Sequence, residues 1–557
     1  MFGVLIATPL LLVLAAAAIA LLDLRAPTAA RLAVTASAVS LLAAVVVLVV
    51  AGIDGPIDAV VEADDGRALF GLSADRVAGV LITLTALVGL VVQSFASRSL
   101  RSDPRARRFH VLALVLTAST ITVATAATAS GLVVAWVVTS LALVALVGHR
   151  APWPPAVEAQ QRTGWSFLIG DSALLAAVVV ALITIGDIDM RAVAADAVAL
   201  DAERLLGTDA VTVVALLLVV AGIARSALVP IHRWLPSTLA APTPVSALLH
   251  AGVVNGAGVL LIRFSPIYAA STSAMTVAFV LGLVTALVAT AVMLVRTDVK
   301  GGLVWSTSGQ MGFMVLQLGV GAFAAALFHI VGHALYKATM FLGAGAAITG
   351  LSHQNDRPHL GRDHAATLRS LPVRLGIGLA VPLAAFVLAL WIIDPHLTAA
   401  ATILVVVFGT LSIGRAANGW LASAPFATGT TMFAATAGIV VGVAGYVGGL
   451  TLFETFVVDV VPYDVPAAVG PIWVALSLGV IAAAAGVVAF TPGERGDAVR
   501  RRTYAWLLST GAPPRVRPRS GTAMNGSSAT AVATTLTTTV SGTAPTTATP
   551  LTVGDPA

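Results

Sequence analysis

The chain has no cysteine in 557 residues. That excludes disulfides and thiolate metal sites, and it leaves the redox state of the compartment unreadable. Charge is scarce as well: Asp, Glu, Lys and Arg make up 10% of residues, against 58% hydrophobic. Among 31 basic residues only Lys300 and Lys337 are lysines. A soluble domain of this length cannot be built from that composition, and the mean hydropathy of +0.97 agrees. What the chain has instead is apolar runs of about 20 residues, the length that crosses a bilayer. The reading is an all-α polytopic membrane protein. The net charge of +5 points to basic loops on the cytoplasmic side rather than to nucleic acid. The opening run "FGVLIATPLLLVLAAAAIALL" lacks a basic stretch before it, and Arg25 and Arg31 follow it. It reads as a retained first helix rather than a signal peptide.

About 15 spans are predicted, starting near residues 2, 31, 74, 109, 130, 165, 210, 240, 273, 302, 322, 372, 400, 426 and 470. Their connections alternate in charge. "SRSLRSDPRARRFH", "HQNDRPHLGRDHAATLRSLPVR" and "GERGDAVRRR" are basic, whereas "DGPIDAVVEADDGR", "GDIDMRAVAADAVALDAERLLGTD" and "FETFVVDVVPYD" are acidic. This alternation places the N-terminus outside and the C-terminus in the cytoplasm. The expected organisation is N-terminal helices over 1–108, a core over 109–425, further helices over 426–510 and a tail over 511–557. The Thr-, Ala-, Ser-, Gly- and Pro-rich tail is too polar to fold and is expected to be disordered.

Charge inside a membrane is costly, so each instance is a functional candidate. Asp171 in "SFLIGDSALLAAVVVAL" is read as the only carboxylate well inside a span, and Arg225 lies in "VVAGIARSALVPIHRWLP". His250 and Asn255 share the next span, and Ser306, Ser308 and Gln310 fall in "VWSTSGQMGFM". "LFHIVGHALYKATMF" places His329, His333 and Lys337 four residues apart, so a helix turns all three nearly the same way. Arginine stays protonated, whereas burial lets a lysine release its proton, and histidine starts near neutrality. The row is therefore a candidate proton relay. Two other readings stand beside it. The histidines could be helix-to-helix hydrogen-bonding groups, or His-x-x-x-His could ligate zinc, although the helix offers no third ligand.

Pro230 and Pro382 fall in the seventh and twelfth predicted spans, five spans apart. Proline breaks a membrane helix where freed carbonyls line a cavity. Two five-helix units inverted in the membrane, about 109–264 and 273–425, would give that offset.

"SALVPIHRWLPSTLAAPTPVSALLHAGVVNGAGVLLIR" and "TDVKGGLVWSTSGQMGFMVLQLGVGAFAAALFHIVGHALYKATMFLGAGAAI" resemble the antiporter-like subunits of respiratory complex I and of Mrp cation/proton antiporters. "SFASRSLRSDPRARRF" resembles the family's loop after its third helix. The likeness runs from about residue 70 to 350. It implies two inverted repeats with broken helices and a hydrophilic axis that carries protons. It also implies that His250 matches the histidine of the eighth helix, that His329, His333 and Lys337 match the His-His-Lys line, and that Asp171 matches an acid of the sixth. Two departures are visible. Val137 follows Trp136 where the family carries a glutamate, and Arg225 replaces the lysine that pairs with it. No lysine or glutamate marks the twelfth span either.

Within this family the wording "HRWLPSTLAAPTPVSALLHAGVVN" is most similar to the membrane subunits of DAB-type inorganic carbon pumps. That resemblance implies a non-enzymatic, cation-conducting subunit, with His250, His329, His333 and Lys337 as the relay and Asp171 and Arg225 as a coupling charge pair. It implies that this subunit drives a large zinc-containing, carbonic-anhydrase-like partner, with no cofactor in this chain. Proton-pumping subunits of complex I or of an Mrp antiporter are the alternative.

Overall fold

Apolar residues dominate every long segment, and backbone groups in lipid must be satisfied within the segment, so the chain resolves into helices. The structure is a computed structural model. It describes residues 1–511 except Asp23, Asp65, Leu206 and residues 352–375, 424–428 and 462–469. The helices are α1 (Phe2–Leu21), α2 (Ala26–Ile53), α3 (Arg76–Ser99), α4 (Ala106–Thr125), α5 (Ala129–Val147), α6 (Pro154–Thr184), α7 (Val193–Ala202) and α8 (Ala210–Arg225). There follow α9 (Trp234–Ser237), α10 (Thr243–Ala251), α11 (Gly256–Arg263), α12 (Ser265–Ala269), α13 (Thr272–Val295), α14 (Val299–Gly319) and α15 (Phe323–Leu351). The last are α16 (Val381–Ile393), α17 (Ala399–Ser423), α18 (Gly429–Val457), α19 (Pro471–Phe490) and α20 (Gly493–Gly511). Among the described residues, 12 helices are long and apolar enough to cross a membrane. Three more, α8, α14 and α19, begin within a few residues of the remaining predicted starts.

Helix starts carry their own signals. Asp75, Thr128, Ser271 and Asp298 accept from the backbone N–H three residues on, at the heads of α3, α5, α13 and α14. Proline occupies the first turn of α2, α6 and α10.

Charged loops cluster with one another. A β-hairpin, Ile57–Glu62 with Ala68–Ala74, meets the α6–α8 connection. Arg191 Nη1 pairs with Glu62 at 2.6 Å, Arg67 Nη2 pairs with Asp196 at 3.2 Å, and Ala68 N donates to Asp189 at 3.1 Å. Arg76 reaches Asp459 beyond α18 at 2.7 Å. On the arginine-rich side, Arg105 Nη1 donates to the His149 carbonyl at 2.8 Å and Asp103 lies 3.1 Å from His149 Nε2.

Close packing sets where α14 lies. α13 and α14 approach through glycine: a Cβ on Gly312 would sit 2.5 Å from Ala286 N, and one on Gly319 would sit 2.6 Å from Phe279 N. Backbone contact of this kind is how membrane helices gain dispersion energy without a hydrophobic drive. α15 then lies against both α14 and α10.

Candidate functional site

The first group of polar residues is built on a broken helix. α8 stops at Arg225, and the chain runs through Ser226–Arg233, with Pro230 inside, before α9. The freed groups find partners: Trp234 Nε1 donates to the Ala224 carbonyl at 3.0 Å and Val229 N donates to Thr285 Oγ1 at 3.0 Å. Arg225, at the helix end where carbonyl dipoles favour a cation, is 3% exposed. Its Nη2 donates to the Trp136 carbonyl at 3.1 Å, Ser140 Oγ at 2.6 Å and Asp171 Oδ1 at 3.2 Å. Its guanidinium lies over the rings of Trp136 and Phe167, 4.1 and 4.6 Å from their centroids. Asp171 and Arg225, read together from the sequence as a charge pair, are in contact as one ion pair. Gly256 leaves room for it, since a Cβ there would meet Arg225 Cγ at 2.4 Å.

A second break interrupts the span that holds His250. α10 ends at Ala251, Gly252 turns the chain, and α11 resumes at Gly256. The break leaves the His250 carbonyl without a helical donor, and His333 Nε2 lies 3.0 Å from it. The His250 ring stacks on Phe341 at 4.2 Å, and its Nδ1 has no partner. Asn255 is buried, donating Nδ2 to the Ala251 carbonyl at 2.9 Å with Oδ1 unpaired.

The row on α15 is matched rung by rung by α14. His329 Nδ1 lies 3.2 Å from Gln317 Oε1, and His333 Nδ1 lies 3.0 Å from Gln310 Oε1. Lys337 Nζ donates to the Leu303 carbonyl at 3.3 Å and to Ser306 Oγ. Lys337 is fully buried and the two histidine rings are 5.9 Å apart. A neutral imidazole donates from one nitrogen only. Gln310 can turn its NH2 toward a neutral His333 and its oxygen toward a protonated one. The rung therefore serves both protonation states.

Pro382 sits in the first turn of α16, where a π-helical turn, Gly376–Ala380, gives way to α-helix. The basic stretch "HQNDRPHLGRDHAATLRSLPVR" and the tail lie outside the described residues. Among the described residues no group of three or more His, Cys, Asp or Glu is placed to hold a metal ion.

Several contributors were not singled out in the sequence. Gln317 follows Gln310 by two turns on α14, a polar stripe that helical periodicity reveals. Ser140 and the Trp136 carbonyl left no such signal. Asp171 is not alone as a carboxylate within a long apolar helix, because α18 extends to Val457 and takes in Glu454, which sequence placed in a loop. Glu454 is buried with Oε2 unpaired. Arg263 at the end of α11 is buried too, and it pairs with Asp75 at 2.6 Å.

Residues 126–362 match the family described as NADH:quinone oxidoreductase/Mrp antiporter, transmembrane. That stretch resembles an antiporter-like membrane domain. It is 35% identical over 335 residues to the probable inorganic carbon transporter subunit DabB1 of Halothiobacillus neapolitanus, covering 58% of this chain and 59% of that protein. It is 33% identical over 274 residues to the probable inorganic carbon transporter subunit DabB of Bacillus anthracis, covering 49% and 53%. A chloroplastic NAD(P)H-quinone oxidoreductase subunit 5 of Zygnema circumcarinatum is 33% identical over 282 residues, covering 50% of this chain and 40% of that one. The chain thus spans little more than half the length of these carbon-transporter relatives. Among solved structures, the Mrp complex from Dietzia sp. DQ12-45-1b aligns with a TM-score of 0.54 at 23% identity, covering 97% of this chain and 64% of that chain, which shows a shared fold. The matched stretch takes in Asp171, Arg225, His250 and the α15 row.

Proposed function

We propose that the chain is the proton-conducting membrane subunit of an energy-coupled inorganic carbon uptake complex. The observation that carries the conducting role is the α15 row. Three proton-binding side chains, one turn apart in an apolar helix, each face a polar partner on α14 that can follow a change in their protonation. His250, His329, His333 and Lys337 relay the proton, and the Asp171–Arg225 pair couples the first half of the domain to it. Arg225 holds its proton, so Asp171 and Ser140 stand where the family's exchangeable pair would be. The carbon assignment is supported by the DabB relatives. By that likeness the partner is a large carbonic-anhydrase-like subunit holding zinc, and this chain carries none. In this reading about 15 helices span a bacterial plasma membrane, with the N-terminus outside, the C-terminus in the cytoplasm and two inverted repeats at the core.

Lys337→Ala tests the relay. Growth that depends on carbon uptake is expected to be lost while the chain remains in the membrane, and unchanged growth overturns the assignment. Mild-detergent purification tests the carbon reading. A single large zinc-containing partner supports it. Quinone-linked subunits, or several small Mrp-type subunits, favour the second reading, a pumping subunit of complex I or an Mrp antiporter. That reading is favoured by a 42% identity over 152 residues to an NADH-quinone oxidoreductase subunit L of Neisseria meningitidis.

A further inference from the structure

The last described helix has no part in the site, and its residues point to a different ligand. α20 begins two residues after α19 ends, and its sequence is GERGDAVRRRTYAWLLSTG. One face packs on the protein: Leu507 is buried with Val292 of α13 and Trp305 of α14, and the Gly511 carbonyl accepts from Arg296 at 2.9 Å. Large apolar and aromatic side chains flank that face and stay exposed. Tyr504 (51%) and Leu508 lie on one side, and Trp506 (52%) and Val499 on the other. Arg501 and Arg502 project from the opposite face, also exposed. Arg500 is engaged with Asp497 and the Thr491 carbonyl. The sequence continues the charge with Arg515, Arg517 and Arg519, and no acidic residue falls between Asp497 and Asp555.

A helix fastened beside a span, with aromatic rings at its flanks and arginines above them, has the layout of an element lying in the headgroup layer. Clustered arginines next to a span draw anionic headgroups. We propose that α20 is a binding site for anionic phospholipid, with Arg501 and Arg502 contacting the phosphate and Tyr504, Trp506 and Leu508 seated in the upper acyl region. An acidic protein surface would satisfy the arginines but would leave the exposed rings unexplained. A lipid headgroup over acyl chains satisfies both. The site reaches the α13–α14 pair through Leu507 and Arg296, so lipid bound there steadies the helix that supplies Ser306, Gln310 and Gln317.

The test needs no ion flux, so its outcome is independent of the function proposed above. The full chain is purified in an uncharged detergent and stripped of lipid, then titrated with phosphatidylglycerol or with phosphatidylcholine. Binding is read as a shift in thermal midpoint. Phosphatidylglycerol is expected to raise the midpoint, phosphatidylcholine to leave it unchanged, and salt to weaken the effect. Arg501→Gln with Arg502→Gln lowers the phosphatidylglycerol affinity on the order of tenfold or more, at about fivefold per arginine. Arg501→Lys with Arg502→Lys retains most of it, which separates lost charge from lost folding. An equal response to both lipids, or a glutamine variant that responds like the parent, overturns the proposal. So does a protein partner that leaves with the two arginines while the lipid response stays.

Discussion

At the residue scale, Arg225 shows how a permanent cation is kept in a membrane interior. It has three hydrogen-bond acceptors, one of them a carboxylate, and two ring faces within reach, and a glycine makes the space. Removing one partner of a buried pair strands the other charge at a cost of about 3–5 kcal/mol. Arg225→Met should therefore destabilise the chain by roughly that amount. Asp171→Asn combined with Arg225→Met should cost less than the sum of the two single changes. Thermal unfolding in detergent of the two single variants and the double variant checks both statements; additive losses would mean that the pair does not interact. Gly256→Ala adds a methyl where Arg225 Cγ lies 2.4 Å away. It should reproduce much of the Arg225→Met loss without touching a charge.

At the element scale, the α13–α14 contact fixes where the acceptors stand. Gly312→Ala drives a methyl against the α13 backbone, and overpacking of this kind costs about 1–3 kcal/mol. Because Gln310 lies two residues away, proton conduction by Gly312→Ala should fall further than its stability does. Flux through proteoliposomes set beside the unfolding midpoint measures that difference, and parallel losses would refute it. The elements were largely legible in the sequence, because apolar length decides a span. The second break was not. Gly252 and Asn255 interrupt one predicted span without a proline to announce it, so His250 read as a mid-helix side chain. Its contribution to the contact with His333 is a backbone carbonyl that only the turn exposes. The row on α15 was legible because four-residue spacing is a helical face. The ion pair was read from two conspicuous intramembrane charges of opposite sign, although their separation of 54 positions carries no periodicity that would bring them together. Glu454 was missed because the helix runs past the point where hydropathy fades.

For the whole molecule, the side that gathers the acidic loops is pinned by carboxylates outside the spans. Burial pushes Asp189 up, but hydrogen bonds from the Arg191 side chain and backbone and from Ala68 N outweigh it, holding the carboxyl below its usual value. A depressed carboxylate stabilises the fold above the ordinary range, about pH 4, and that contribution is lost as pH falls through the depressed value. Asp196 behaves oppositely: burial raises it despite Arg67, so its contribution is present at low pH and lost as pH rises. The melting temperature should fall below about pH 4, and Asp189→Asn should remove part of that slope. Asp196→Asn should remove a slope of the other sign. Melting curves across acid pH in a neutral detergent measure both, and identical profiles for all three proteins would contradict the assignment.

The pairing of α14 with α15 has one more consequence, in register. The two helices run in opposite directions, and each carries polar groups a turn or two apart. Sliding one past the other by one turn, about 5.4 Å, still leaves each of His329, His333 and Lys337 a partner, although Gln317 gives up His329. Gln310 passes from His333 to His329, Ser306 passes from Lys337 to His333, and Lys337 keeps the Leu303 carbonyl. The two helices can therefore mesh at two notches that both leave the α15 row partnered, like a rack that engages its neighbour one tooth along. The second notch gives up the Gln317–His329 and Lys337–Ser306 bonds. A chain without native cysteine suits the measurement: spin labels on α14 and α15 would give two distances if both notches are occupied and one if the helices hold a single register.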